Sequence, residues 1–311
     1  MIVSRFAPAP TGLLHLGHVV NALHVWGITR AAGGRVLLRI EDHDSQRSRR
    51  EYEEAILDDL DWLGFAPDEP STNEFRSGVC RGRQSDRQDV YERARGQLAS
   101  EGLLFACECT RRELRTAMGA EGADGSDSEL RYSGRCRDRH LEWTERRAVR
   151  VRLAPSVERF ADLRHGVQEQ RPFEQCGDML VKDREGNWSY QFAVTVDDMV
   201  QGVNLVIRGD DLLSSTGRQI QLARMLGRRE LPRFLHHGLI MKSASQKLSK
   251  ANRETSVSDL RVAGAAAEDV IGRALHAAGF TARPVAFARR DAERLVAERY
   301  REVIRQLAEE R

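Results

Sequence analysis

Two histidines three residues apart, His15 and His18, follow a turn rich in proline and glycine, Pro8-Ala9-Pro10-Thr11-Gly12. That spacing puts both imidazoles on one face of a helix, where both can donate toward a single bound group. A helix opening at His15 adds free N–H groups and the positive end of its dipole, which together favour phosphate. Gly17 removes side-chain bulk between the histidines, so a flat base could lie close to the backbone. Far downstream, Gln246-Lys247-Leu248-Ser249-Lys250, with Lys242 just before it, reads as a loop carrying compact ammonium charges. Such charges suit a leaving pyrophosphate, on which negative charge builds in the transition state. Alone, the first stretch is an incidental helix start and the second a solvated loop. Together they point to nucleotide chemistry, with His15, His18, Lys247 and Lys250 as its catalytic groups.

The elements that must position these groups follow from hydrophobic runs and breakers. A short β run before Pro8 feeds the helix His15 to Ala32, which Gly33-Gly34 closes. Arg35 to Ile40 reads as a buried strand ending at Glu41. Strand, helix and strand make a right-handed βαβ unit, whose ligands bind beyond the strands' C-terminal ends. Glu41 there could hold a substrate ammonium, or simply cap the next helix. Helices are expected over Arg49 to Leu63 and Gln84 to Gly102, and the sheet is expected to resume with a strand over Asn187 to Val194. A second buried run, Val203 to Ile207, ends at Arg208, which could fork onto a carboxylate or pair with Asp210 or Asp211. A helix from Ser215 to Leu226 and a third strand, Phe234 to Met241, then deliver the lysine loop. From Thr255 the chain reads as helices, with Val296, Tyr300, Ile304 and Leu307 on one apolar stripe.

Between these halves the texture changes. Cys107 and Cys109, a polar loop from Gly119 to Ser128, and then Tyr132 and Cys136 suggest a tetrahedral structural zinc, with Tyr132 or His140 as fourth ligand. Arg135, Arg137, Arg139, His140, Arg146, Arg147, Arg150 and Arg152 could grip a nucleic-acid backbone, or form an exposed face balanced by neighbouring acids. At 311 residues the chain can hold two domains and an appendage, and its 49 Lys and Arg nearly cancel 47 Asp and Glu, so net charge demands no polyanionic partner. Five cysteines, an odd number, and no export signal argue against a disulfide framework. No apolar run approaches a membrane span, and a cytoplasmic monomer is expected.

Arg5-Phe6-Ala7-Pro8-Ala9-Pro10-Thr11-Gly12 with Leu14-His15-Leu16-Gly17-His18, then Arg39-Ile40-Glu41-Asp42, Arg208-Gly209-Asp210-Asp211-Leu212 and Lys247-Leu248-Ser249-Lys250 resemble the glutamyl branch of the class I aminoacyl-tRNA synthetases. The resemblance implies an α/β fold: a Rossmann-type parallel-sheet catalytic domain (1–102 and 187–255) split by a zinc-bearing, acceptor-stem-like insertion (103–186), with a helical C-terminal segment (256–311). It implies ATP with Mg²⁺ at His15, Gly17, His18 and Lys250, and L-glutamate at Arg5, Phe6, Ala7, Pro8, Ala9, Glu41, Tyr190 and Arg208. Only a short tail follows Lys250, where a full synthetase continues into an anticodon-reading domain. This is similar to the truncated branch that places glutamate on the queuosine base in the anticodon loop of tRNA(Asp). That branch carries one zinc on Cys-x-Cys and Tyr-x3-Cys, which implies Cys107, Cys109, Tyr132 and Cys136. The second histidine, His18, and Ala9 depart from that branch's usual smaller polar residue and serine, without removing a charge. The alternatives are a compact synthetase charging a tRNA 3′ end, and a paralogue that binds tRNA or nucleotide without catalysis.

Overall fold

The computed structural model describes residues 1–117, 130–243, 246–247 and 255–309. The Gly119–Ser128 loop and Leu248, Ser249 and Lys250 lie outside the described residues. The chain opens with β1 (Val3–Phe6), α1 (Leu16–Ala31) and β2 (Arg35–Leu38), and β1 pairs with β2 in parallel. α1 is buried almost all round, from Val19 to Thr29, because the strands lie on one side and C-terminal helices on the other. Next come α2 (Arg50–Leu63), closed by a left-handed Gly64, then α3 (Thr72–Arg76), a 3₁₀ turn over Gln84–Arg87, and α4 (Gln88–Ser100). The sequence suggests one helix from Gln84. Its first turn tightens where Gln84 and Arg87 both reach the buried carboxylate of Asp197, at 2.8 Å each.

The stretch from residue 68 to 84 has a clear place in the fold. Its backbone runs along the open edge of β2, with Leu38 and Ile40 donating to Glu69 and Gly82 and Gln84 donating back to Ile40. It therefore occupies an edge that would otherwise present unpaired N–H and C=O groups.

The middle segment contributes to two sheets. β3 (Leu104–Cys107), which precedes α5 (Arg111–Ala117), pairs antiparallel with β4 (Ala148–Val151). β5 (Glu158–Asp162) and β6 (Gly166–Gln170) form a hairpin, followed by α6 (Pro172–Cys176) and by β7 (Met179–Lys182), which pairs with β4. The expected insertion 103–186 thus lends β5 and β6 to the sheet that holds the next strands, in the order β6-β5-β9-β8.

Where the sequence suggests a strand over Asn187 to Val194, the structure has a helix, α7 (Tyr190–Val200). The run Trp-Ser-Tyr-Gln-Phe-Ala-Val looks β-like in composition, yet Gln191 through Asp198 are all buried, so no amphipathic stripe marks the helix. Ser189 is its N-cap and accepts from the Phe192 N–H at 3.3 Å. β8 (Leu205–Gly209), a 3₁₀ turn over Asp210–Ser215, α8 (Thr216–Met225) and β9 (Arg233–His237) follow, with β8 and β9 parallel. β8 lies beside β1, tied where the Asn204 N–H donates to Val3 O and its side-chain oxygen accepts from Val3 N–H.

The third strand is shorter than expected, because residues 238–240 leave the sheet before the hairpin of β10 (Met241–Ser243) and β11 (Gln246–Lys247). After the lysine segment come α9 (Val257–Val262), α10 (Ala267–Ala277), α11 (Arg289–Arg299) and α12 (Arg301–Glu309). The Val257 N–H donates to Leu14 O at 2.8 Å, so this part is fastened to the turn ahead of the histidines. α10 and α11 cover α1, and α11 comes so close that a Cβ on Gly27 would lie 2.9 Å from Glu293 O. Val296 and Leu307 are buried in the core that α1 shares, so the C-terminal stripe packs on the body of the molecule.

Candidate active site

Arg5 on β1, Glu41 beyond β2, Arg208 on β8 and His237 on β9 gather at the C-terminal ends of parallel strands, around a cleft of about 370 Å³. His15, Gly17 and His18 form its α1 side, Ala7 and Tyr190 also line it, and Ile240, just before β10, brings the lysine hairpin to its edge. Lys247 has its backbone in that hairpin.

The two histidines do more than face the cleft. His15 is the N-cap: its Nδ1 accepts from Gly17 N–H at 3.1 Å, while His18 Nδ1 accepts from His15 N–H at 3.1 Å. An accepting Nδ1 carries no proton, so the neutral rings hold theirs on Nε2, the correct form for donating to an anion. The rings lie 4.0 Å apart. Gly17 is required by this arrangement, since a Cβ there would fall 2.8 Å from His15 Cε1. The room that Gly17 provides therefore serves the His15 ring first.

Opposite charges are handled separately in the cleft. Glu41 is held by Arg39, whose Nη2 and Nε donate to Oε1 at 3.0 and 3.3 Å, and among the described residues Oε2 accepts no hydrogen bond. Arg39, fully buried, also donates to Asp198 at 2.7 Å, and Asp198 takes a second bond from Arg5 at 3.0 Å. Burial would raise the Asp198 carboxyl, but Arg5 and Arg39 outweigh it and hold it down at about 2. Arg208 differs from both. It is 4% exposed and donates through Nε to His236 at 2.9 Å, Nη1 to Gln219 at 2.8 Å and Nη2 to Thr216 at 2.8 Å. All three partners are neutral, and among the described residues no carboxylate pairs with it. Asp210, one of the partners considered from sequence, pairs instead with Arg164 and His165. Burial lowers the basicity of Arg208, and an incoming anion would relieve that.

Tyr190 reaches the cleft from the first turn of α7 rather than from a strand. Burial, then Glu41, push its phenol up to about 12, so it remains a hydroxyl donor at neutral pH. Three residues of the expected glutamate set do not line the cleft. Phe6 is buried in the core, its ring 5.5 Å from Trp26. Pro8 and Ala9 shape the turn, their carbonyls accepting from Glu41 and Thr11 at 3.0 and 2.8 Å. Arg39, Asp198 and His237 were not foreseen as part of the site. The sequence signal for Arg39 is its place two residues before Glu41 on a buried strand. His237 stacks on the buried His24 at 4.4 Å. Burial, then His237, take His24 down to about 3, so it is neutral.

A second cluster lies in the middle segment. The sulfurs of Cys107, Cys109 and Cys136 are buried within 4.8 Å of one another. Cys109 and Cys136 are 3.6 Å apart, close to the edge of about 3.8 Å that a tetrahedral ion with metal–sulfur bonds of about 2.3 Å would require. The Tyr132 hydroxyl lies 3.6 Å from Cys107 Sγ and accepts from Cys136 N–H at 2.7 Å, whereas His140 is exposed. Burial and then Cys107 push the Cys109 thiol up to about 12, a penalty that a divalent cation would reverse. Gly177, at a φ of 66°, packs on this group, and a Cβ there would strike Tyr132 O.

The arginines around the cluster are largely committed to internal partners. Arg135, Arg137, Arg139 and Arg152 pair with Glu113, Asp178, Glu108 and Asp138, and Arg150 is buried over the Tyr132 ring. Among the described residues no ion pair is formed by Arg146 or Arg147 of the same cluster.

Residues 1–290 match the family model for the catalytic domain of class I tRNA synthetases of the E and Q type. The chain belongs to that family. It is 38% identical over 283 residues to the glutamyl-Q tRNA(Asp) synthetase of Rhodobacter capsulatus, covering 86% of this chain and 98% of the relative. To the enzyme of that name from Nitratidesulfovibrio vulgaris it is 40% identical over 282 residues, covering 88% and 85%. A glutamate–tRNA ligase from Syntrophus aciditrophicus is 38% identical, but only 54% of its length is covered. Among solved structures, the glutamate tRNA ligase of Elizabethkingia meningosepticum in complex with its amino acid superposes with a TM-score of 0.73 at 26% identity. That match covers 95% of this chain, which spans only 65% of the larger synthetase. Within the family, the βαβ start and the cleft at its strand ends form the catalytic-domain fold. Among the described residues no helix is long and apolar enough to cross a membrane.

Proposed function

We propose that this chain activates L-glutamate with ATP as glutamyl adenylate and transfers the glutamyl group to the queuosine base of tRNA(Asp). The observation that carries this reading is the pairing within one cleft of a buried guanidinium, Arg208, with a carboxylate, Glu41: among the described residues Arg208 has no anionic partner and one Glu41 oxygen accepts no hydrogen bond. A zwitterionic amino acid with a further carboxylate complements that pattern. Arg208 takes the side-chain carboxylate of the substrate, Glu41 and the Tyr190 hydroxyl hold the ammonium end, and Ala7 lines the wall, with Pro8 and Ala9 shaping the turn behind it. Arg5 acts at one remove, holding Asp198 in place.

The α-carboxylate of glutamate attacks the α-phosphorus of ATP in line, and pyrophosphate leaves. The Nε2 protons of His15 and His18, the α1 dipole, Lys247 and Lys250 oppose the charge on the phosphates. Mg²⁺ bound with ATP adds its own charge. Catalysis is then positioning and charge stabilisation, with no covalent protein intermediate. A hydroxyl of the queuosine cyclopentene ring attacks the adenylate carbonyl and AMP departs. Cys107, Cys109, Cys136 and Tyr132 fit one structural zinc, whose part is to hold β3 and the following turns together.

Glutamate-dependent ATP–pyrophosphate exchange tests the first half, and transfer of labelled glutamate to tRNA(Asp) with and without queuosine tests the second. Exchange with no transfer to the queuosine-bearing tRNA, but with charging of a tRNA 3′ end, would establish the compact-synthetase reading. That reading is favoured by the identity to the Syntrophus ligase and by the likeness to the Elizabethkingia ligase.

A further inference from the structure

Arg208 can recognise a carboxylate only if its guanidinium is fixed about its own axis, and the structure contains a device that does this. Arg208 and His236 are register partners on the parallel strands β8 and β9, so their side chains leave the same face of the sheet. Arg208 Nε–H donates to His236 Nε2 at 2.9 Å, and His236 Nδ1 lies 2.7 Å from Asp162 Oδ2, with both His236 and Asp162 side chains wholly buried. Asp162 is fixed in turn: its oxygens accept from the backbone N–H groups of Arg164, His165 and His236 at 3.0, 2.9 and 3.1 Å.

The order of donors is forced. Arg208 has five N–H bonds and no acceptor, so His236 Nε2 must offer its lone pair and keep its proton on Nδ1. Asp162 supplies the acceptor that makes this tautomer the stable one. With Gln219 and Thr216 taking one proton from each terminal nitrogen, one N–H remains on Nη1 and one on Nη2. Those two form the end-on fork that matches a carboxylate. The opposite tautomer would set N–H against N–H and turn the fork away.

We infer that Asp162 and His236 are positioning residues for carboxylate recognition, acting through Arg208, and that the β5 end of the middle segment thereby takes part in choosing the substrate. This rests on the proposed role of Arg208 in binding glutamate.

Side-chain geometry allows a test that separates recognition from stability. In His236→Gln an amide oxygen can occupy the Nε2 position and accept from Arg208, whereas His236→Asn keeps a donor for Asp162 and loses that acceptor. In Asp162→Asn the new amide donates to Nδ1 and drives the imidazole proton to Nε2. Exchange kinetics should show the glutamate KM rising about tenfold or more for His236→Asn and Asp162→Asn, the loss expected for a charged hydrogen bond, with the ATP KM near wild type. His236→Gln should stay close to wild type, and adding Asp162→Asn to it should change the glutamate KM little. Melting temperatures, measured alongside, should not follow this order. If wild-type protein shows glutamate-dependent exchange and His236→Asn and His236→Gln share its glutamate KM, this inference is overturned while the proposed function stands. Equal losses in both variants that track melting temperature also overturn it, and should Asp162→Asn not fold, the His236 pair alone decides. Wild-type protein without glutamate-dependent exchange overturns the proposed function and this inference with it.

Discussion

At the scale of single residues, the cleft works by leaving chosen groups incompletely satisfied. Arg39 and Arg5 are matched by acids, while among the described residues Arg208 is matched only by neutral oxygens and a ring nitrogen. Gly17 illustrates how small the tolerances are. Gly17→Ala places a methyl group within 2.8 Å of His15 Cε1 and should displace the imidazole that caps α1. The expected result is a fall in the exchange rate of about tenfold to a hundredfold with the glutamate KM little changed, since the loss falls on the phosphates. An unchanged rate in a pre-steady-state adenylation assay would contradict this. The residue types needed at the site could be read from the sequence where they sit in short local motifs, as His15, His18, Glu41 and Arg208 do. Asp162 and His236 could not, because what joins them is strand register across 74 positions rather than spacing.

At the scale of elements, helix starts and anchors decide where side chains arrive. Tyr190 is the first residue of α7, directly after the Ser189 cap. Ser189→Ala should cost about 1 kcal/mol and raise the glutamate KM more than the ATP KM, which thermal denaturation and exchange kinetics would show. The strand expected over Asn187 to Val194 failed because burial on every side removes the periodicity that marks a helix, and only the serine cap distinguishes it. The expected elements α1, β2, α2, β8 and α8 agree with the structure within a few residues, each having a one-sided pattern, a glycine stop or a continuous apolar run.

Asp59 on α2 anchors the start of α9 by accepting from the Ser258 hydroxyl at 3.0 and 3.1 Å, with Arg261 at 3.5 Å. Burial raises its carboxyl to about 6 from the usual 3.8, despite Ser258 and Arg261. The folded state therefore holds this proton more tightly than the unfolded chain, and the group's stabilising contribution is full below about 3.8 and lost as pH rises through about 6. Asp59→Asn keeps a partner for Ser258 without the charge. Its melting temperature relative to wild type should be most favourable above pH 7 and converge toward wild type near pH 4, as melting curves across that range would show.

At the scale of the whole molecule, regions far apart in sequence share one cleft, and a separate cluster of buried cysteines lies in the middle segment. If the cluster holds zinc, metal analysis should give about one ion per chain, and a strong chelator should lower the melting temperature while Cys136→Ser abolishes the bound metal. A chain that keeps its melting temperature under chelation and contains no zinc would rule the ion out. In the sequence, the cysteines and the change of texture mark off the middle segment. The contribution of β5 and β6 to the β8–β9 sheet was not legible, since β6 has a single large apolar residue, Val167, and that one is exposed.

The close approach of α11 to α1 at Gly27 has a bearing on how the protein matures. The helix that carries the histidines is synthesised long before α10 and α11, which among the described residues pack across it. Until those helices emerge its apolar flank lacks them, so the nascent chain depends on the later segments, or on chaperones, to stay out of aggregates. A bulky side chain at residue 27 would therefore show itself first as poor yield of folded protein, before any kinetic constant could be measured.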